Sequence, residues 1–350
     1  MKKISKLFLG ILASALLVAP SYAGEMAVTG GATATYATNG DDASAGKNLG
    51  ISNELDFTAS GELDNGMSWK YQVQLDGATT ANDDTRLEIG TDYGTIGLYV
   101  MEGGLSSELA HGVGAMGVGF DYVSPSAFVH SYDMDSYNNI QYHTPAGLLP
   151  FGGSIKLGYV PNMSATTMLS AKESDATLTT ANLGGTLEMI QVKVAPIEGL
   201  TIQGSAAATG DQTGTSGING TEQGTSANVG AKYTMGGITV GYTEGGYQAA
   251  IASGELVYYE NKFYGIQFDV NDNLSVSYNN DESEQNTRAN VAVGATAGTK
   301  TVIAMEQESV QLAYTVAGAT IGISQAEVTN ADYTTSKEEN QTVISLGISF

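Results

Sequence analysis

From residue 25 to the last residue, apolar and polar side chains alternate with a period of two in segment after segment. Trp69, Tyr71, Val73 and Leu75 alternate with Lys70, Gln72, Gln74 and Asp76. Val310, Leu312, Tyr314 and Val316 alternate with Gln311, Ala313 and Thr315, and Ile344, Leu346, Ile348 and Phe350 with Ser345, Gly347 and Ser349. Successive side chains of a strand point to opposite faces, so each such segment has one apolar and one polar side. Helical periodicity is hard to find anywhere beyond residue 25. The connections constrain the fold further. Tight turns sit at Asp64–Gly66, Asp92–Gly94, Met235–Gly237, Asn271–Asn273 and Ala317–Gly318, with somewhat longer links at Pro145–Pro150 and Pro196–Gly199. Several of these residues accept positive φ. Between them lie polar excursions near 37–48, 77–83, 102–137, 160–183, 209–224, 245–254, 281–306 and 329–340. This parity predicts sixteen antiparallel strands, with seven short turns at one end and eight long loops at the other.

An even number of alternating strands with loops sorted by end is the pattern of a transmembrane β-barrel. A soluble β-sandwich also alternates, but its loops need not sort by parity. A chain of this length would need two sandwiches, yet no linker divides it. In a barrel the apolar face meets lipid, the polar face lines water, and closure leaves no unpaired edge in hydrocarbon.

The first 23 residues read as a secretory signal. Lys2, Lys3 and Lys6 are followed by an apolar run from Leu7 to Ala19, then by Ser21-Tyr22-Ala23, with cleavage expected before Gly24. The domain reading is therefore a signal peptide over 1–23 and one barrel over 24–350. With 14 basic and 37 acidic residues the chain carries a formal charge of −23, or −26 once the three leader lysines are removed. Such a surface repels phosphates and excludes nucleic acid as a partner. The absence of cysteine removes thiol catalysis, disulfides and Cys-based metal sites.

Three stretches resemble the trimeric general porins of Gram-negative outer membranes. Thr85-Arg86-Leu87-Glu88-Ile89-Gly90 with Tyr93-Gly94-Thr95-Ile96-Gly97-Leu98 resembles the hairpin before the porin constriction loop. Asn138-Asn139-Ile140-Gln141-Tyr142-His143-Thr144-Pro145 resembles the strand after it. The ending Ile344, Leu346, Ile348, Phe350 resembles the terminal-strand signal read by the barrel-insertion machinery. The resemblance implies an outer-membrane homotrimer of sixteen-stranded barrels, each with its third loop folded into the pore, set among outer-membrane lipid and lipopolysaccharide. One departure is Leu98-Tyr99-Val100-Met101, where many members carry a glycine and an arginine.

From Leu87 through Ile155 there is no lysine or arginine, but there are seven acidic residues. If the third loop folds inward, Glu102, Glu108, Asp121, Asp133 and Asp135 are the candidates for an acidic constriction. Lys70, Arg86 and Lys156 fall on the polar face by alternation and are the candidate basic wall, with Lys193 and Lys232 as further possibilities. Rings of carboxylates in a low-dielectric wall favour cations. The function expected is passive diffusion of ions and small hydrophilic solutes, with a preference for cations, no enzymatic activity and no cofactor or metal. The alternatives are a plugged barrel serving structure or surface interaction, and a substrate-specific channel.

Other motifs carry less. Gly112, Gly114 and Gly117 match a dinucleotide pattern but lack the βαβ context it needs. Asp269–Asn273 begins like a calcium loop but lacks its glycine and its terminal glutamate, and reads as a turn. His111, His130 and His143 are scattered polar histidines. Asp281, Glu282 and Glu284, with Glu306 and Glu308, are expected to form an acidic surface cluster around the seventh long loop.

Overall fold

A computed structural model describes residues 24–40, 46–76, 85–100, 103–105, 113–117, 131–163, 185–210, 223–249, 255–289 and 299–350. The expected leader, residues 1–23, lies outside them. Sixteen strands are present: β1 (Glu25–Asn39), β2 (Gly46–Glu62), β3 (Ser68–Asp76), β4 (Thr85–Thr91), β5 (Gly94–Val100), β6 (Asn139–His143), β7 (Ser154–Val160), β8 (Thr186–Ile197), β9 (Leu200–Gly210), β10 (Thr225–Met235), β11 (Ile238–Gln248), β12 (Glu255–Asn271), β13 (Leu274–Ala289), β14 (Lys300–Val316), β15 (Ala319–Thr329) and β16 (Glu338–Ser349). Each pairs antiparallel with its sequence neighbours, and β1 pairs with β16 to close the barrel. The last residue completes that seam: Phe350 exchanges two 2.9 Å backbone hydrogen bonds with Gly30.

The sidedness is the inverse of a soluble domain. Ile344, Leu346 and Ile348 face outward and are 46–49% exposed, whereas Gln141, Gln307 and Asn279, facing inward, are 0% exposed. Apolar groups on the outside suit hydrocarbon, and amides inside suit a hydrated or loop-filled lumen. The short turns carry the geometry expected of them. At the β14–β15 turn Ala317 and Gly318 both take positive φ, 52° and 82°, as a two-residue hairpin matched to strand twist requires.

Two details differ from the sequence reading. The ends do not sort strictly by loop length, because the β6–β7 link over 144–153 is longer than the β1–β2 link over 40–45. The seventh excursion is also shorter than expected, because β13 and β14 extend through the acidic cluster. Glu282, Glu306 and Glu308 point outward on these strands, while Asp281 points inward and is fully buried. Above the apolar band an outward side chain no longer meets hydrocarbon, so polarity there does not end a strand.

Strand length is uneven round the barrel. β4, β5 and β7 have seven residues and β6 has five, against 17, 16 and 17 for β12, β13 and β14. At a rise of about 3.3 Å and a tilt near 40°, five to seven residues climb roughly 13–18 Å, less than the ~25 Å apolar band of a lipid-embedded barrel. The described strands β4–β7 therefore form a low wall.

Candidate functional site

The described segments of the third long loop, 103–105, 113–117 and 131–138, lie inside the barrel and touch both sides. Residues 103–105 lie against β6 and β7: Lys156 Nζ donates to the Gly104 carbonyl at 2.8 Å, and a Cβ on Gly103 would fall 2.1 Å from the Gln141 amide. Residues 113–117 lie against β13 to β15, half the circumference away. There the Ala115 N–H donates to Ser277 Oγ and the Met116 N–H to Gln311 Oε1, both at 2.8 Å. A Cβ on Gly322 of β15 would meet the Met116 side chain. In the third described segment the Tyr132 N–H donates to Ser226 Oγ on β10 at 3.1 Å. Leu105, Tyr132 and Met134 pack with Val160, Leu187, Met189 and Ala207 of β7, β8 and β9, an apolar anchor on the inner wall.

Asp133 and Asp135 belong to this anchor. Asp133 caps the 3-10 turn Met134–Ser136 by accepting from the Asp135 N–H at 3.1 Å. The Asp135 carboxylate accepts from the Leu105 N–H at 3.0 Å, tying the two ends of the loop together. Burial pushes the Asp135 carboxyl above its usual range, against the lowering effects of the Leu105 N–H, the Lys156 ammonium and the Gly104 N–H. Tyr137 is raised likewise, by burial and then by Asp133. Glu102, Glu108 and Asp121 lie outside the described residues, as do His111 and His130.

Lys70, Arg86 and Lys156 all face the lumen. Lys70 stands opposite Glu88 across the β3–β4 ladder. Arg86 donates to Gln72 Oε1, and Gln72 donates in turn to Asp56 at 2.6 Å. Glu88 accepts from the Tyr99 hydroxyl at 3.0 Å, and the Tyr99 ring stacks beside His143 at 6.3 Å. Tyr99 can lie flat on the wall because Gly97 has no side chain; a Cβ there would fall 2.3 Å from the ring. Lys193 on β8 and Lys232 on β10 also face inward by alternation. The described inward strand positions of β11 to β16 include Asp269, Asp281 and Glu339 but no lysine or arginine, and the loop between β15 and β16 adds Lys337, paired to Glu339. The inward lysines and Arg86 thus all fall on β3 to β10, interspersed with inward carboxylates such as Glu54, Asp56 and Glu88.

A second inward loop was not foreseen in the sequence. Residues 330–337, between β15 and β16, place Ala331 against Met305 and Val328 inside the barrel. Tyr333 donates to Ser283 Oγ at 2.8 Å, and Lys337 bridges Asp332 and Glu339 at 2.5 and 2.6 Å. The available signal was Glu339, a carboxylate at an inward position beside a lone lysine. Among the described residues no three acidic or histidine side chains are placed to hold a metal ion.

No protein-family model matches the sequence, and neither does any curated protein sequence. Solved structures do match. An in-vitro folded OmpT, an outer membrane protein of Vibrio cholerae in its trimer form, is 13% identical, covers 94% of this chain and 100% of its own, and superposes with a TM-score of 0.60. A porin refined at 1.8 Å is 14% identical over 93% of this chain and 100% of its own, with a TM-score of 0.62. The anion-selective porin from Comamonas acidovorans is 13% identical over the same shares, with a TM-score of 0.62. The fold is therefore that of the sixteen-stranded porin barrels.

Proposed function

We propose that this chain is a passive diffusion channel of the Gram-negative outer membrane, a water-filled path for ions and small hydrophilic solutes with a preference for cations. The observation that carries the reading is a closed barrel with its apolar face outward, its polar face inward and the described segments of its third loop inside the lumen. Nothing in the reading requires covalent chemistry: solutes move down their gradients, filtered by size and charge. The sign of the filter does not follow from the fold, since one structural neighbour is described as an anion-selective porin. It follows from this chain's acidic third loop, with Glu102, Glu108 and Asp121 as the constriction carboxylates opposed by the lysines and Arg86 of β3 to β10.

A homotrimer is the assembly that fits the low wall. A stretch of barrel too short for the hydrocarbon needs protein beside it, and the outward faces of β4–β7 offer Leu87, Ile96, Leu98, Ile140 and Leu157 for that contact. The remaining surface is surrounded by outer-membrane lipid and lipopolysaccharide. The terminal residues Ile344, Leu346, Ile348 and Phe350 are the signal to the insertion machinery. A plugged barrel is the second reading, favoured by the third loop touching opposite walls.

Conductance of the purified protein in planar bilayers separates the two. Ohmic steps in threes, with a reversal potential of cationic sign in a salt gradient, are expected. An absence of steps overturns the channel, and a reversal potential of anionic sign overturns the charge assignment.

A further inference from the structure

Four tyrosine rings form a continuous arc on the inner wall, running from the third loop to the eighth. Tyr132 meets Tyr247 of β11 with ring centroids 4.9 Å apart and planes at 60°. Tyr247 meets Tyr259 of β12 at 5.9 Å and 39°, and Tyr259 meets Tyr333 of the eighth loop at 5.3 Å and 61°. Tyr247 and Tyr259 are direct partners across the β11–β12 ladder, so the arc is held by strand register and not by loop position alone. Tyr132 is buried, whereas Tyr247, Tyr259 and Tyr333 are half-buried, Tyr247 and Tyr259 at inward positions of their strands.

A pore that only sieves by size and charge has no use for such a surface. Water-facing positions on a lumen wall cost nothing when filled by Ser, Thr or Asn. Tyrosine presents an apolar body with a polar tip. Here the tips are paired to neutral groups: Gln285 Nε2 donates to the Tyr259 hydroxyl at 2.9 Å, and Tyr333 donates to Ser283. The arc itself bears no charge. An uncharged row of ring faces flanked by hydroxyl and amide groups matches a solute with C–H faces and hydroxyl edges. The ring spacings are of the order of one sugar unit, so successive units of a chain can each find a ring.

The geometry points to this arc as a binding shelf for neutral oligosaccharides on their way to the constriction. The proposal rests on the channel reading only for solute access to the lumen. Stacking on an aromatic platform tolerates variation in its partner, so the shelf selects a class of solute and not one sugar. Apolar and aromatic surface with a few polar groups is also the usual lining of a small-molecule site.

Titration calorimetry of maltohexaose into the purified protein, in a detergent without a sugar headgroup, tests the shelf directly. Saturable binding is expected, weakened about tenfold in Tyr259→Leu and by less than about threefold in Tyr259→Phe, because leucine keeps apolar volume but loses the ring. Tyr333→Leu, on a loop outside the strand ladder, gives the same comparison should the β12 variant fail to fold. Absence of saturable heat up to about 50 mM, or leucine variants that bind like the parent, overturns the shelf. Bilayer conductance judges the channel separately. Current steps without saccharide binding retain the channel and overturn the shelf, and binding without steps retains the shelf and overturns the channel.

Discussion

The contact of the third loop with the far wall is the sharpest point at which to perturb the lumen. Ser277 Oγ accepts from the Ala115 N–H and donates to Gln311 Oε1 at 3.4 Å, and that same oxygen accepts from the Met116 N–H. Two side chains thus hold two consecutive loop amides. Ser277 and Gln311 are 7% and 1% exposed, so water does not readily replace them in the docked state. The double variant Ser277→Ala, Gln311→Leu removes both acceptors while leaving the barrel ladder intact. Each hydrogen bond contributes about 1 kcal/mol net, so the pair costs about 2 kcal/mol. That raises the undocked fraction of this segment about thirtyfold. In single-channel recordings the undocked loop should appear as excursions to a larger conductance, with total dwell time raised by that factor. Thr234→Val, which removes a 3.0 Å hydroxyl pair with Thr239 beside a short turn, serves as a control and should leave the record unchanged. Excursions within about twofold of the parent in the double variant would refute the assignment of these two bonds as the far-wall clip.

Three further outcomes follow from the same geometry. Asp135 has a folded-state pKa above its unfolded value, so its neutral form is favoured when the loop is docked. Docking is therefore strongest below the unfolded value and weakens as pH rises through the folded one. Hydrogen exchange at Gly104 and Leu105 should quicken across that interval in the parent, and Asp135→Asn should abolish the dependence while still accepting from Leu105. Asp135→Ala, lacking any acceptor, should speed exchange at those amides by about three- to tenfold at every pH. The amide triple Glu102→Gln, Glu108→Gln, Asp121→Asn should move the reversal potential toward zero, and an unchanged value would remove these acids from the constriction.

The barrel was legible because its two signals are local and repeated. Alternation reports the two environments of a strand at every residue, and turn chemistry reports its ends. Lys70, Arg86 and Lys156 were placed correctly on the inner face by parity alone. Asp135 shows where parity stops. Its sequence context reads as a free pore acid, whereas the fold turns it onto the backbone of Leu105, thirty positions away. Leu187 and Met189 mislead in the opposite sense: apolar residues on β8 suggest a lipid face, yet they point inward because the third loop covers them. The eighth loop and the tyrosine arc were not legible either. Both depend on contacts between segments far apart in sequence, and neither leaves a periodic trace.

A closed sheet of hydrogen-bonded strands is a hoop. It resists stretching along its ladder far better than it resists flattening, because flattening only changes the angles between neighbouring strands. A soluble domain meets such loads with a packed interior. The third loop is fixed to β6 and β7 at one point and to β13 and β14 at another, half a turn away. Mechanically it is a tie across a ring, and it fixes the cross-section as well as the aperture. Cutting the tie frees the lateral pressure of the membrane to deform the ring, so the width of the path depends on bonds that no passing solute touches.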